Sequence, residues 1–141
     1  MKKLFFALSF FTLTLFLSLF SCKSGGCSIE GTWSVSQVKI QSDKFPKDII
    51  NMMENEYAKS TYIFRKDGTM SISASGVETP GQYVFNAEAA QLGWKDDAQG
   101  VENVLKVLSC TTDNIELLQR MPADENQPLT ATVSLTLVRK Q

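Results

Sequence analysis

The chain has 141 residues, enough for one domain of ordinary size, and its charge is nearly balanced, with 14 basic and 15 acidic residues. It contains no run of Lys and Arg, which excludes the clustered positive charge that phosphate binding needs, so we expect no nucleic-acid partner. It contains no histidine, which excludes Ser-His-Asp and Cys-His nucleophilic sites and histidine-based zinc sites.

The N-terminal segment predicts export. Lys2 and Lys3 precede an apolar run from Leu4 to Phe20, which is the arrangement of a secretory signal. The end of this run, Leu19-Phe20-Ser21-Cys22, resembles a bacterial lipobox, and the resemblance implies cleavage before Cys22 and attachment of lipid to that cysteine. The alternative is an uncleaved membrane anchor. Both interpretations place the rest of the chain outside the cytoplasm, tethered to a membrane.

The lipobox resemblance divides the chain into a signal peptide (residues 1–21), a lipidated flexible linker (22–28) and one domain (29–141). A diacylglycerol plus an N-acyl group on Cys22 would anchor the domain stably, because a single acyl chain binds membranes only marginally. Lys23, rather than an aspartate, follows Cys22, and no acidic cluster does. We expect a bacterial outer-membrane lipoprotein whose domain faces the periplasm, with surface exposure as the alternative.

Two further cysteines, Cys27 and Cys110, remain for the mature chain. An even pair in an oxidising compartment predicts a disulfide bond. Closing so long a loop would stabilise the fold by about 4 kcal/mol. The alternative is two separate thiols, one in the linker and one buried, because the spacing alone does not show whether the two Cα atoms approach each other.

The first predicted strand covers residues 31–41. Trp33, Val35 and Gln37 share one face of this segment, and such alternation is typical of a half-buried strand. If Trp33 faces inwards, Gln37 does so too, and an inward amide needs a hydrogen-bond partner. We therefore expect Gln37 to lie near a mouth of the fold or to orient a ligand.

A helix is predicted next, over residues 47–59. Its apolar residues Ile49, Ile50, Met53 and Tyr57 recur at spacings of three and four, which places them on one helical face. Such a helix would cap one end of the fold. The alternative is a mobile lid over a ligand mouth.

Seven further strands are predicted, joined by short connections that indicate antiparallel neighbours. The pair Asp67-Gly68 is a strong hairpin signal, because glycine accepts positive φ. Residues 87–95 fit two patterns, because Leu92 and Trp94 alternate as in a strand whereas residues 88–91 fit a helical turn. The seven predicted strands are 60–66, 69–75, 80–86, 90–95, 101–110, 114–121 and 129–139.

Residues 101–110 fit two patterns. Val104, Leu105 and Leu108 have helical spacing, whereas a strand would place Leu105 and Val107 on one face and Val104 and Leu108 on the other. The β-branched valines favour a strand, and apolar residues on both sides predict that both of its faces are buried.

Eight strands with one short helix after the first predict a mainly all-β fold, an eight-stranded antiparallel up-and-down barrel, because closure removes exposed sheet edges. Such a barrel is filled by its own side chains or keeps one small cavity. Large residues on the predicted inner faces are therefore either core or lining of a ligand cavity. Beside Gln37, the candidates for a ligand-lining role are Tyr62, Phe64, Tyr83, Phe85 and Trp94.

Five segments together resemble the lipocalin-like domain of small bacterial lipoproteins. They are Gly31-Thr32-Trp33, the run from Tyr62 to Thr69, Gly81-Gln82-Tyr83, the run from Val107 to Asn114, and the run from Leu135 to Arg139. The resemblance implies a lipocalin-like barrel whose interior can hold a small apolar ligand.

The same resemblance implies structural roles for two residues at opposite ends of the chain. Trp33 is expected to close one end of the barrel, and Arg139 is expected to pack over its ring in a cation–π contact. Lys140 is the alternative partner for Trp33.

The predicted function is therefore that of a membrane-anchored lipoprotein that binds a small apolar ligand. The alternative is an envelope protein–protein interaction or inhibitor module without a ligand cavity. No phosphate-binding loop, metal-ligand cluster or nucleophile motif occurs in the sequence, and Asp96 and Asp97 lie in a polar loop that predicts solvated carboxylates. We therefore expect no enzymatic activity, no metal site and no cofactor.

Overall fold

The structure, a computed structural model, describes residues 26–100, 102–121 and 131–141. The predicted signal peptide, Cys22 and most of the predicted linker lie outside the described residues, as does most of the loop before the last strand. The elements are β1 (Gly31–Gln41), α1 (Lys47–Ala58), β2 (Thr61–Phe64), β3 (Thr69–Ala74), β4 (Val77–Asn86), β5 (Gln91–Asp96), β6 (Glu102–Cys110), β7 (Asn114–Met121) and β8 (Ala131–Arg139).

The eight strands form a closed antiparallel barrel. Each strand pairs with the next, and β1 also pairs with β8, so the sheet has no free edge. This confirms the predicted fold class, an up-and-down barrel with one short helix after the first strand. The ambiguous segment at residues 101–110 is a strand from Glu102 onwards. The first residue of this predicted strand, Val101, and the first two residues of the last predicted strand, 129–130, lie outside the described ranges.

Alternation along the strands places apolar side chains inside the barrel. In β8, Val133, Leu135 and Leu137 are buried, while the intervening Ser and Thr residues are only half-buried. Across the β7–β8 pair, Leu117 lies opposite Leu135 and Ile115 lies opposite Leu137, and all four are buried. This contact forms the most regular part of the core, because both strands keep their alternation from end to end.

A β-bulge in β1 reverses its alternation. Trp33 and Val35 face inwards before the bulge, and Val38 and Ile40 face inwards after it. Gln37 pairs with Thr136 and is exposed on the outer wall of the barrel. The prediction that Gln37 faces inwards with Trp33 is therefore wrong, because one inserted residue shifts the phase of all the residues that follow it.

Only one face of β6 is buried. Leu105 and Val107 point into the core, whereas Val104 and Leu108 are 60% and 51% exposed on the outer wall. The prediction of a strand buried on both faces is therefore wrong. In a single closed barrel the inner face packs and the outer face meets solvent, whatever the side chains on it.

The end of the barrel at which β1 begins is closed, and we call it the closed end. Trp33 is fully buried there, and its Nε1 donates a hydrogen bond of 2.8 Å to the carbonyl oxygen of Ile29. The Arg139 guanidinium carbon lies 4.2 Å from the centroid of the Trp33 ring. This is the arrangement that the lipocalin-like resemblance implies. Lys140 instead directs its ammonium group to the hydroxyl of Thr61.

A disulfide bond joins Cys27 to Cys110 at the closed end, with the two Cα atoms 5.6 Å apart. It ties the segment that precedes β1 to the last residue of β6. This confirms the predicted pairing and excludes the alternative of two separate thiols.

Candidate ligand-binding cavity

A cavity of about 410 Å³ lies inside the barrel, towards the end opposite Trp33, which we call the mouth. Its volume falls at the low end of the range of roughly 300–1,000 Å³ that is typical of ligand pockets. The side chains deepest along the strands are apolar and buried, and we call them the floor. The floor residues are Phe64, Met70, Leu92, Leu105 and Leu117.

The lining becomes polar towards the mouth. The polar residues sit where strands begin or end at the mouth, in the β5–β6 loop, or just before β2, and we call them the rim. The rim residues are Ser60, Thr79, Asp96, Gln99, Asn103 and Gln119. The lining is therefore divided between an apolar floor and a polar rim, and small-molecule sites likewise combine an apolar surface with polar groups that fix orientation.

Asp96 is the charged residue of the rim. Its Oδ1 accepts hydrogen bonds from the backbone N–H groups of Ala98 (2.7 Å) and Gln99 (3.1 Å), which shape the turn after β5. The side chain is consequently held against the barrel, and the residue is only 8% exposed. The prediction that Asp96 is solvated is wrong, because the carboxylate satisfies backbone donors at the cavity mouth.

Asn103 and Gln119 lie side by side on the rim. The Gln119 amide nitrogen donates to the Asn103 amide oxygen at 3.4 Å. The hydrogen bond between the two side chains does not involve the NH₂ group of Asn103 or the carbonyl oxygen of Gln119. The pair therefore offers one donor and one acceptor, both uncharged, next to the cavity.

Helix α1 lies beside the mouth, and Tyr57 from its last turn lines the cavity. The Glu54 carboxylate accepts a 2.8 Å hydrogen bond from the backbone N–H of Ile40, and Glu56 accepts one from the Ser75 hydroxyl at 3.1 Å. No residue of the helix is fully buried. Its apolar residues Ile50, Met53 and Tyr57 nevertheless pack against the core, so the helix covers this side of the barrel. It is also too short to cross a membrane, and no longer apolar helix occurs in the described ranges.

The cavity holds two tyrosine hydroxyls that stay protonated. Burial raises the pKa of Tyr62 well above its ordinary value, and the nearby Tyr57 raises it further. Burial also raises the pKa of Tyr57. Both phenols are therefore neutral at physiological pH.

Three of the six predicted lining residues border the cavity, namely Tyr62, Phe64 and Trp94. Two others, Tyr83 and Phe85, follow the inward phase of β4 but do not border it. Tyr83 instead packs edge-on against Phe64, with ring centroids 5.0 Å apart, and donates its hydroxyl to the Arg65 carbonyl at 2.8 Å.

The sequence interpretation missed most of the floor and the whole rim. Five of the six predicted lining residues are aromatic. Met70, Leu105 and Leu117 are aliphatic instead, and Asn103 and Gln119 are polar. In β6 and β7 the signal that could have found them is the alternation of the strand. Asn103 and Leu105 alternate with the buried Val107, and Leu117 and Gln119 alternate with the buried Ile115.

No family model, curated protein or solved structure matches this chain. In the described part of the chain, no group of three or more acidic or cysteine side chains is placed to hold a metal ion.

Proposed function

We propose that the protein is a lipid-anchored lipoprotein of the bacterial outer membrane, with a lipocalin-like barrel that binds a small, mainly apolar ligand. The observation that supports ligand binding is the cavity of about 410 Å³ between a buried apolar floor and a polar rim. A barrel that served only as a scaffold would gain stability by filling this space, because unfilled volume costs packing energy. Anchoring through Cys22 would hold the domain in the periplasm.

Ligand binding can be tested with a neutral fluorescent probe, N-phenyl-1-naphthylamine. The protein would be a soluble chain that begins at Lys23, which keeps every contact of the described barrel. We expect Leu117→Trp, which fills the floor, to weaken probe binding at least tenfold. The matched control is Leu118→Trp, the same substitution one residue along β7, where the side chain leaves the inner face.

The control variant should bind the probe as the parent does, and circular dichroism melting would show that both variants fold. Absence of probe binding by the parent would contradict the proposal. Equal binding by the parent and Leu117→Trp would contradict it as well, because the probe would then occupy another surface.

A second candidate function is docking of an envelope protein with an apolar surface, and the outer wall favours it. Val84 and Val104 are 73% and 60% exposed, and both pair with Gly93, which lies between them. They border an outer groove of about 650 Å³. If docking is the function, an envelope phenotype of the deletion strain would be rescued by Leu117→Trp but not by Val104→Asp. The opposite pattern would favour the cavity.

A further inference from the structure

We infer that the cavity selects an uncharged amphiphile over the corresponding anion, so that its ligand carries a hydroxyl, amide or ester head group rather than a free carboxylate. This inference rests on the proposed ligand-binding function and adds the chemical class of the ligand to it. Three features of the cavity carry it: the charges around it, the hydrogen-bonding groups on its rim and the shape of its floor.

In the described part of the chain, the charges around the cavity offer no partner for an anionic head group. None of the described residues that line the cavity is Lys or Arg, and the one acidic side chain among them is that of Asp96. At the mouth, the Lys59 ammonium is paired with Glu56 at 3.0 Å and does not line the cavity. A carboxylate that entered would lose water without gaining a cation, and Asp96 would repel it.

The rim instead matches an uncharged polar group. The Asn103–Gln119 pair offers an amide NH₂ and an amide carbonyl oxygen, and Thr79 contributes a hydroxyl to the rim. A hydroxyl, amide or ester can use such groups as donors and acceptors without leaving a buried charge. A bound head group of this kind would form hydrogen bonds with the rim.

The floor requires the rest of the ligand to be apolar. Met70, Leu92 and Leu117 are at most 2% exposed, and Phe64 and Leu105 complete an apolar surface. Because the rim groups lie at the mouth and the floor is apolar, the ligand must enter with its apolar part first. The site therefore fits a short alkyl chain or a ring with one uncharged head.

The test compares two competitors that differ in the head group alone. Octanamide and octanoate share one alkyl chain and nearly the same head shape, and octanoate is ionised at pH 8. Each would displace N-phenyl-1-naphthylamine from the soluble chain that begins at Lys23. We expect octanamide to bind at least tenfold more tightly than octanoate.

A reversal experiment tests the electrostatic cause. Gln119→Lys places a cation on the rim, and we expect it to raise the affinity for octanoate at least tenfold. Gln37→Lys, on the outer wall of the barrel, makes the same change in net charge and should leave both affinities unchanged. If Gln119→Lys does not fold, Thr79→Lys places the same charge on the rim.

The outcomes separate this inference from the proposed function. If the parent does not bind the fluorescent probe, ligand binding itself is wrong. If the probe binds and octanoate displaces it as well as octanamide does, only the selectivity is wrong. Displacement by neither competitor would also overturn the inference, because the rim would then not recognise the amide head.

Discussion

At the scale of single residues, the closed end depends on Trp33 and on what surrounds it. Its indole N–H donates a hydrogen bond to the carbonyl oxygen of Ile29, and the Arg139 guanidinium covers its ring. The same guanidinium donates hydrogen bonds to the carbonyl oxygens of Ser28, Glu30 and Thr112. The guanidinium therefore joins the segment before β1, the β6–β7 turn and the end of β8. A lysine could not reproduce this, because its ammonium lacks the planar fork.

Gly31 is needed at the same place for two reasons. Its φ of 131° is a backbone conformation that side chains disfavour, and a Cβ atom there would clash with the Arg139 guanidinium. The Gly31-Thr32-Trp33 segment thus contributes a side chain that fills the closed end and a bare backbone that admits Arg139.

Trp33→Ala should lower the free energy of unfolding by about 3–5 kcal/mol, because it removes a fully buried aromatic side chain from a packed core. Urea unfolding monitored by circular dichroism would measure the loss. Val104→Ala, which shortens an exposed side chain, is the control and should change stability by less than about 0.5 kcal/mol. A Trp33→Ala variant as stable as the parent would show that the closed end is not packed as described.

Tyr62 should make the fold sensitive to alkali. Burial raises the pKa of Tyr62 above its ordinary value, so the folded state keeps a proton that the unfolded state releases near pH 10. The unfolded state then binds fewer protons, and the free energy of unfolding falls as the pH rises above about 10. Tyr62→Phe should reduce this fall in urea titrations between pH 8 and pH 11. An unchanged pH slope would contradict the buried position of the phenol.

At the scale of elements, β1 shows how a single irregularity changes which side chains reach the interior. The bulge between Val35 and Gln37 lets Val38 and Ile40 face inwards opposite Leu135 and Val133 of β8. Without it, the polar Gln37 would face the core and the apolar Val38 and Ile40 would face solvent. The bulge therefore reconciles the sequence of β1 with the apolar inner face of β8.

Lysine substitutions at adjacent positions test this phase. Gln37→Lys should change the free energy of unfolding by less than about 0.5 kcal/mol, because the side chain is exposed. Val38→Lys should cost at least about 1–3 kcal/mol, because it places a charge against the core. Thermal or urea unfolding of the two variants measures both effects. If Gln37→Lys destabilised the fold more than Val38→Lys, Gln37 would face the interior and the bulge in β1 would be contradicted.

At the scale of the whole molecule, the barrel has two unlike ends. The disulfide, Trp33 and Arg139 occupy the closed end, whereas the cavity, its rim and α1 occupy the mouth. If Cys22 carries lipid, the linker to Cys27 spans at most about 18 Å, since each extended residue covers roughly 3.3–3.6 Å. The closed end would then face the membrane, and the mouth would open away from it.

The two tryptophans allow a test of this orientation. Trp94→Phe leaves Trp33 at the closed end as the fluorescent donor, and Trp33→Phe leaves Trp94 at the cavity. With the lipidated protein in vesicles that contain a dansyl-labelled phospholipid, we expect more efficient energy transfer from Trp33 than from Trp94. The soluble chain that begins at Lys23 is the control and should show little transfer from either donor. Stronger transfer from Trp94 would mean that the mouth faces the membrane.

The amino-acid sequence by itself determined the strand number, the position of the helix and the closure of the barrel, because alternation and turn residues are local signals. Asp67-Gly68 and the regular alternation of β8 are typical of such signals. The disulfide was foreseeable from the cysteine count, although two free thiols fitted the sequence equally well until the Cα distance was known.

Only the tertiary structure decided the phase of β1, the exposure of Val104 and Leu108, and the existence and lining of the cavity. The bulge depends on the register that β8 imposes on β1, and exposure depends on what packs on the outer wall. A cavity is the volume left when all inward side chains have been placed, so no single stretch encodes it. The uncharged Asn103–Gln119 pair on the rim likewise arises where β6 and β7 lie side by side.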